Sequence, residues 1–482
     1  PFSRFFYHTQ FTAKTQVLFG IFPSAVRLLF AVPVPYNKDA SSPRLARERW
    51  ENAMEPADLI NGGTVAGALD LIQSGDVIST TIYGCEPTLF LSRLHTVASR
   101  VERVRLWSLN IMGPYPVMTD NSLKGRIDVC SIFYNASCRA GNPSGRYSLL
   151  PLDLHRVGAG IVEALPPTVF VAAVAPPDAD GNVYLSLDLE AGWEFMEAAD
   201  RIIFEINPNI PRVCGETKVP LSRASYWYPS NTPLPNPPPA PAGETERTIA
   251  GFVSSLIRDG DCIQLGIGAM PNAVGDALMD KRDLGVHTEM LTSSMGRLIR
   301  CGAVTNARKN INPGKAVAAF AWGDQALYDL MRDNPAFCMR RAAYVNNPFQ
   351  IAQNDNMVSV NAALQIDLTG QICSESIGSR QFSGTGGAAD FAYGAFHSRG
   401  GRGIIAVTST ARGGTVSRIQ PQLSPGSVVS ISRNIVDHVV TEYGIARLRG
   451  RTVRQRMENL IAVAHPDFRG ELRRQAEKLL LL

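Results

Sequence analysis

A proline-rich run divides this chain into two parts. The segment 228–244, YPSNTPLPNPPPAPAGE, contains seven prolines. Because proline lacks the backbone N–H that helices and sheet interiors use, such a run favours an extended connection between folded regions. The alternative is a long surface loop inside one domain. The preferred division has four segments: an N-terminal extension at 1–54, a folded half at 55–228, a linker at 229–243 and a second folded half at 244–482.

Both halves alternate between helical and strand patterns. In the first half, residues 57–75 predict an amphipathic helix, and DVISTTIYG predicts the strand that follows it. In the second half, TIAGFVSSLIRDG predicts a helix, and DCIQLGIG, AVAAFAWG and SVVSIS predict strands. Runs that are apolar on both faces are typical of parallel strands covered by helices. The chain is therefore predicted to form two open, mostly parallel α/β domains.

Composition excludes several classes of protein. The 47 Lys and Arg residues nearly balance the 43 Asp and Glu residues, which argues against a nucleic-acid partner. The eight cysteines form no CxxC pair and have no histidines near them, so neither a metal site nor a disulfide framework is predicted.

The N-terminal segment resembles a targeting sequence. Residues 1–38 contain four Lys or Arg residues and no Asp or Glu, which is typical of organelle transit peptides, so we expect the mitochondrial matrix. The apolar stretch around Arg27 is interrupted by that charge and by prolines, so no transmembrane span is predicted. Alternatively, residues 1–50 form an arm that docks onto a larger mitochondrial complex.

Several short segments contain candidate site residues. In GVHTEML, Glu289 follows a short apolar run, and open parallel sheets bind ligands just beyond such strand ends. Two glycine loops, QLGIGAMP and SGTGGAADF, present backbone N–H groups to an anion, and SRGGRG suits a phosphate, although ordinary turns explain each of them as well. The other candidate carboxylates are Glu375 and Glu442. The loops contribute these candidate ligand-binding residues: Gln264, Gly266, Gly268, Gly384, Gly386, Gly387 and Arg402.

Four long motifs resemble a known family. The stretches DCIQLGIGAMPNAV…DLGVHTEML…GAVTN, YVNNPFQIAQNDNMVSVNAALQIDLTGQICSESIG, QFSGTGGAADFAYGA and VVTEYGIARLRGRTVRQRMENLIAVAHPDFR are similar to the acetyl-CoA hydrolase/transferase family, which includes 4-hydroxybutyrate CoA-transferases. The resemblance is dense from about 245 to 470 and looser from about 57 to 220. It implies two CoA-transferase domains with the active site in the cleft between them.

The resemblance also implies roles for individual residues. Glu289 matches the family's nucleophile, which forms an acyl-glutamyl anhydride and then a glutamyl-CoA thioester. Gly386 and Gly387 match the glycine pair whose N–H groups stabilise the oxyanion. Gln264 and Asn346 match positions that hold the glutamate and the acyl group.

The predicted function is transfer of CoA between a short-chain acyl-CoA, with acetyl-CoA preferred, and a carboxylate acceptor. Hydrolysis of acetyl-CoA at the same site is one alternative, and a structural subunit with reduced activity is another. The resemblance implies CoA as a substrate, no permanently bound cofactor and a homodimer.

Overall fold

Strands that are apolar throughout lie at the centres of two sheets. The computed structural model describes residues 62–141, 144–238 and 241–479, so the predicted extension at 1–54 lies outside the described residues. Every residue of VFVAAV at 169–174 is buried, and so is nearly all of AVAAFAW at 316–322. Such strands need cover on both faces, and the helices between them supply it.

The first sheet has seven parallel strands in the order β4-β3-β2-β1-β5-β7-β9. Its strands are β1 Val77–Thr80, β2 Val104–Ser108, β3 Ile127–Ser131, β4 Tyr147–Leu149, β5 Val169–Val174, β7 Arg201–Ile206 and β9 Tyr226–Pro229.

The second sheet has eight strands in the order β13-β12-β11-β10-β14-β19-β23-β24, and only the β23–β24 pair is antiparallel. Its strands are β10 Cys262–Leu265, β11 Gly285–Thr292, β12 Ala316–Trp322, β13 Phe337–Met339, β14 Met357–Asn361, β19 Arg402–Ala406, β23 His438–Thr441 and β24 Gly444–Arg447. The mostly parallel α/β fold predicted from the sequence is thus confirmed.

Short strands form small additional sheets within the described residues. They are β6 Asn182–Tyr184, β8 Lys218–Pro220, β15 Gln365–Asp367, β16 Ile372–Cys373, β17 Ser376–Ile377, β18 Arg380–Gln381, β20 Thr410–Ala411, β21 Val416–Ser417 and β22 Ile419–Gln420.

Helices cover the sheets and connect successive strands. In chain order they are α1 Val65–Asp70, α2 Thr88–Arg93, α3 Pro116–Thr119, α4 Ala136–Gly141, α5 Val157–Ala164, α6 Gly192–Ala198, α7 Glu244–Ser255, α8 Ala269–Asp276, α9 Ser293–Arg300, α10 Gln325–Met331, α11 Ala342–Val345, α12 Pro348–Ile351, α13 Ala388–His397, α14 Val453–Val463 and α15 Pro466–Lys478. In the described part of the chain, each helix is too short or too polar to cross a bilayer.

Two predicted elements differ from the structure. The helix predicted at 57–75 begins in the described residues only at Val65, because the Thr64 hydroxyl accepts a hydrogen bond from the Gly67 N–H and caps the first turn. SVVSIS forms no strand. Only Ile431 in it makes an isolated bridge, to Ile372, since no neighbouring strand edge pairs with the rest.

The two sheets pack against each other through a shared core. One cluster of buried apolar residues takes side chains from both sheets. Within it the Tyr83 ring, just after β1, stacks on Phe320 of β12 with centroids 4.6 Å apart. The last strand of the first sheet ends at Pro229 and α7 begins at Glu244, so the proline-rich segment joins the two halves.

Candidate active site

The carboxyl ends of both sheets open onto one cavity of about 330 Å³. From the first sheet, the cavity is lined by residues that follow β1, β2 and β3, namely Tyr83, Asn110 and Phe133. From the second sheet, Gln264 and Asn361 line it at the ends of β10 and β14. The strand order reverses at β1 in the first sheet and at β10 in the second, and the cavity lies at the carboxyl ends of these strands. Open α/β sheets bind their ligands at such points. The cavity is therefore the candidate active site.

Glu289 lies in β11 and lines this cavity. Ile263 of β10 pairs with Val286, so β10 ends level with Thr288 and leaves Glu289 just beyond it. The prediction that the strand itself ends near Glu289 is wrong, because β11 continues to Thr292 in register with β12. Glu289 is thus attached to a backbone that a neighbouring strand holds in place.

Asn346 and the glycine loop hold the Glu289 carboxylate. Asn346 is fully buried directly after α11, and its Nδ2 donates to Glu289 Oε2 at 3.0 Å. On the other side, a Cβ added to Gly387 would lie 1.7 Å from the same oxygen. Only glycine permits the loop to approach the carboxylate this closely.

The other glycines of this loop have separate steric reasons. A Cβ on Gly384 would lie 2.2 Å from the carbonyl oxygen of Ile132, so this residue allows the loop to touch the first half of the chain. Gly386 has φ +55°, a left-handed conformation that other residues rarely adopt. All three glycines line the cavity beside Glu289.

The environment of Glu289 makes its carboxylate a basic one. The pKa of Glu289 is raised to about 7, chiefly by burial and to a smaller extent by the nearby Asp390 carboxylate. The hydrogen bonds from Asn346 and from the Gly387 backbone oppose this rise, because they stabilise the ionised form. At neutral pH a substantial fraction of Glu289 is therefore an ionised, poorly solvated carboxylate, which suits a nucleophile.

His287 fixes the position of Asn346 relative to β11. The imidazole is fully buried, with Nε2 2.8 Å from the Val345 carbonyl oxygen and Nδ1 3.4 Å from Asn354 Nδ2. A carbonyl only accepts and an amide nitrogen only donates, so the neutral tautomer protonated on Nε2 satisfies both contacts. Burial lowers the pKa of His287 to about 3, which keeps the ring neutral. His287 thereby ties β11 to the residue before Asn346.

The first glycine loop contributes only part of what was predicted. Gln264 and Gly266 line the cavity, and the Gln264 side chain exchanges two 3.3 Å hydrogen bonds with Asn361 rather than with Glu289. Gly268 is exposed outside the cavity lining, where its φ of +110° turns the chain into α8. Its position is explained by this turn.

Arg402 does not join the other predicted residues. It begins β19, so it lies at the opposite edge of the sheet from the cavity, and its guanidinium pairs with the Asp261 carboxylate. The predicted role of Arg402 in substrate binding is therefore wrong, since Arg402 lies outside the cavity lining. Glu375 and Glu442 also lie outside the cavity lining, and Glu442 accepts hydrogen bonds from the Ser409 backbone and hydroxyl.

Sequence reasoning missed the polar residues that the first half supplies. Tyr83, Asn110 and Glu190 line the cavity, and Asn110 Nδ2 donates to the Tyr83 hydroxyl at 2.7 Å. The available signal was LDLE at 187–190, where two carboxylates interrupt an apolar stretch. It pointed to no ligand because the opposing half of the site is distant in sequence.

One ion pair joins the two halves next to the glycine loop. His155 Nδ1 lies 2.7 Å from Asp390 Oδ1, and the His155 backbone N–H donates to Asp390 Oδ2 at 3.0 Å. This hydrogen bond raises the pKa of His155. Together with Asp153 these side chains form the group within the described ranges whose spacing suits a metal ion. The direct His155–Asp390 bond accounts for the arrangement as a clamp on α13, the helix that follows Gly387.

Comparison with known proteins identifies the family. The family model described as the acetyl-CoA hydrolase/transferase C-terminal domain matches residues 323–476. Succinyl-CoA:cyclohexane-1-carboxylate CoA transferase of Geobacter metallireducens is 41% identical over 412 residues, which cover 86% of this chain and 94% of that protein. 4-Hydroxybutyrate coenzyme A transferase of Clostridium kluyveri is 42% identical over 72% of this chain and 81% of its own length.

Solved structures agree with this result. The crystal structure of RipA from Yersinia pestis superposes with a TM-score of 0.83 at 36% identity, covering 89% of this chain and 100% of that chain. The 4-hydroxybutyrate CoA-transferase from Porphyromonas gingivalis superposes with a TM-score of 0.72 at 32% identity, covering 86% and 96% of the two chains. The chain therefore belongs to the acetyl-CoA hydrolase/transferase family and is a CoA-transferase.

Proposed function

We propose that this protein transfers CoA from acetyl-CoA, or another short acyl-CoA, to a carboxylate acceptor through a thioester between CoA and Glu289. The observation that carries the proposal is the position of Glu289. Its carboxylate lines the cavity, accepts a hydrogen bond from Asn346 and lies against the Gly387 main chain. This is the arrangement that a carboxylate nucleophile with backbone oxyanion donors requires.

In the first step, Glu289 attacks the carbonyl carbon of the acyl-CoA thioester. The C–S bond breaks, CoA leaves as the thiolate, and the acyl group remains on Glu289 as an anhydride. Burial leaves the Glu289 carboxylate poorly solvated and raises its pKa to about 7, and both effects increase its reactivity. In this proposal the backbone N–H groups of Gly386 and Gly387, which line the cavity together with Glu289, stabilise the negative charge that develops on oxygen.

In the second step, the CoA thiolate attacks the glutamyl carbonyl of the anhydride. The original acyl group leaves as a carboxylate, and Glu289 now holds CoA as a thioester. An incoming carboxylate then reverses both steps and leaves with CoA. The CoA nucleotide and pantetheine arm are remote from the reacting carbon, so their binding energy stabilises the strained intermediates.

The cavity favours small acyl groups. Leu109, Ile132, Leu154 and Phe320 give it an apolar wall, and its volume of about 330 Å³ lies at the small end of ligand pockets. One relative is named for transfer between succinyl-CoA and cyclohexane-1-carboxylate, two acids of very different shape. The acyl pair of this protein is therefore a question for a substrate panel.

The test is incubation of the purified protein with acetyl-CoA and a series of carboxylates. We expect new acyl-CoA products and an adduct on the peptide that contains Glu289, sensitive to hydroxylamine and to borohydride. The Glu289→Gln variant should give neither product nor adduct. Normal turnover by that variant refutes the proposal, and release of free CoA without an acceptor identifies hydrolysis instead.

The mitochondrial location, the homodimer and the docking arm remain proposals. Residues 1–50, on which the first and last depend, lie outside the described residues. Import of a tagged precursor into isolated mitochondria and light scattering of the purified protein test them. A precursor left outside the organelle contradicts the location, and a monomer contradicts the dimer.

A further inference from the structure

The cavity contains a second carboxyl group, Glu190, that the mechanism above does not use. Glu190 lies between β6 and α6, lines the cavity, and is only 4% exposed. Its Oε2 is enclosed and has no hydrogen-bond partner. A buried polar group without a partner is costly, so an unpaired carboxyl oxygen in a substrate cavity needs an explanation.

The backbone of Glu190 is held by hydrogen bonds on both sides. Asp188 Oδ1 accepts from the Glu190 N–H at 2.9 Å, and Asp188 Oδ2 accepts from the Ile82 N–H at 2.7 Å. The Glu190 carbonyl oxygen in turn accepts from the Ala342 N–H at 3.1 Å, at the first residue of α11. The backbone is thus fixed between the two halves, while the side chain remains unpaired at the cavity.

The two cavity carboxyls hold their protons differently. Burial raises the pKa of Glu190 well above its usual range, and the Asp188 and Glu289 carboxylates raise it further. The pKa of Glu289 is about 7 because Asn346 and Gly387 stabilise its ionised form. Oε2 of Glu190 has no such hydrogen bond to offset its burial, so Glu190 is the member of the pair that keeps its proton, and such a pair divides into a base and a hydrogen donor.

We propose that the Glu190 side chain donates a hydrogen bond to the carboxylate substrate as it leaves or enters the cavity. This inference rests on the proposed function and identifies the group that receives the substrate's negative charge. When the anhydride breaks, charge appears on the departing carboxylate within a site already surrounded by acidic groups. A neutral O–H donor offsets that repulsion through a charge-assisted hydrogen bond, and no proton is transferred.

The Tyr83 hydroxyl is placed to help Glu190. It lines the same cavity, receives a hydrogen bond from Asn110, and retains its own O–H for donation. Burial and the neighbouring Glu190 raise the pKa of Tyr83, so it also stays neutral. The ionisable groups that act on Glu190 are thus Asp188, Glu289 and Tyr83, and each of them is acidic.

The experiment compares Glu190→Ala and Glu190→Gln in steady-state transfer with the full-length protein. We expect Glu190→Ala to raise KM for the carboxylate about 10- to 100-fold while KM for acyl-CoA stays within about threefold, because a donor to a charged group is lost. Glu190→Gln retains an N–H donor and should recover most of the loss. Glu194→Gln is the matched control, since Glu194 has an equally unpaired buried Oε2 but lies outside the cavity lining.

A pH series provides a second measurement that does not depend on the alanine variant folding. In the wild-type protein, KM for the carboxylate should rise at alkaline pH as Glu190 loses its proton, and in Glu190→Gln this rise should disappear. Unchanged carboxylate KM in Glu190→Ala, or the same alkaline rise in Glu190→Gln, overturns the inference. The inference is also overturned if kcat falls and both KM values rise to the same extent in the two variants, since that pattern marks a purely structural group.

Binding without turnover separates this inference from the proposed function. Calorimetry with butyrate and the free protein should show about 10-fold or greater weakening in Glu190→Ala and near wild-type affinity in Glu190→Gln. If no acyl-CoA product forms in any protein, the transferase proposal fails while this comparison still decides the role of Glu190. Equal butyrate affinity in all three proteins rejects the hydrogen bond.

Discussion

Removal of the Asn346 amide should shift the ionisation of Glu289. The Asn346→Ala variant loses the 3.0 Å hydrogen bond to Glu289 Oε2, which stabilises only the carboxylate form. A hydrogen bond to a charged group contributes about 1.5–3 kcal/mol, equivalent to about 1–2 pKa units. We therefore expect the pKa of Glu289 to rise from about 7 to roughly 8–9.

The rate of adduct formation should follow that shift. At pH 7 about half of wild-type Glu289 is ionised, whereas the variant retains roughly one-tenth to one-hundredth, so the rate should fall about 5- to 50-fold. Above pH 9 the rate should recover toward the wild-type value. Rapid-quench mass spectrometry of the Glu289 peptide, after mixing with acetyl-CoA between pH 6 and 9.5, measures it.

The matched control is Asn361→Ala. Asn361 also lines the cavity and hydrogen-bonds to Gln264, but it makes no hydrogen bond to Glu289. In Asn361→Ala, the midpoint of the pH dependence of adduct formation should stay near pH 7. A wild-type midpoint in Asn346→Ala, with activity reduced equally at every pH, would refute the reasoning, since Asn346 would then act on something other than the ionisation of Glu289.

Three other outcomes are expected. Glu289→Gln should abolish transfer yet raise the free energy of unfolding by up to about 3 kcal/mol above pH 7, because the wild-type carboxyl has a higher pKa in the folded protein and the wild type loses stability as pH rises from about 4.5 to 7. Urea unfolding at pH 5 and pH 8 measures the difference in stability between the variant and the wild type, and the same difference at both pH values contradicts the prediction. Gly387→Ala should lower kcat at least about 100-fold, because the added Cβ meets Glu289 Oε2. The control is Gly251→Ala on α7, whose added Cβ has no neighbouring atom within 4 Å and should leave activity unchanged. Equal kcat in the two variants would argue against the steric reasoning. The His155–Asp390 pair should stabilise the fold while His155 is protonated and Asp390 is ionised. This contribution falls as pH rises through the raised pKa of His155, and it also falls at acid pH, where the buried Asp390, whose pKa is raised, takes up a proton. Thermal unfolding of Asp390→Asn should lack this pH dependence, and a dependence identical to wild type counts against the clamp.

Local patterns predicted most of the fold. Apolar runs such as those at 169–174 and 316–322 show that a strand is buried on both faces, and that requirement alone implies parallel sheets with helical cover. SVVSIS also contains β-branched residues but forms no strand, because strand formation also depends on a free sheet edge nearby. That condition belongs to the tertiary structure and leaves no local signal.

The residues of the candidate site were likewise predictable only in part from the sequence. Glu289 and Gly387 were identifiable because long motifs surround them, and the structure places them in contact. Tyr83 and Glu190 meet them only after the two sheets pack, so no spacing in the sequence joins them. Arg402 was predicted to bind substrate because its loop suits a phosphate, but it lies at the amino end of β19, away from the cavity, and pairs with Asp261.

The attachment of Glu289 to a paired strand bears on how such proteins diversify. A reactive group fixed on β11 cannot be re-aimed without disturbing its neighbours, so mutations there are mostly harmful. The wall opposite, formed by segments that follow β1, β2 and β3, can vary while the reaction is preserved. Exchanging residues 77–229 between two homologues should therefore carry over the preference for one acid and leave the chemistry intact.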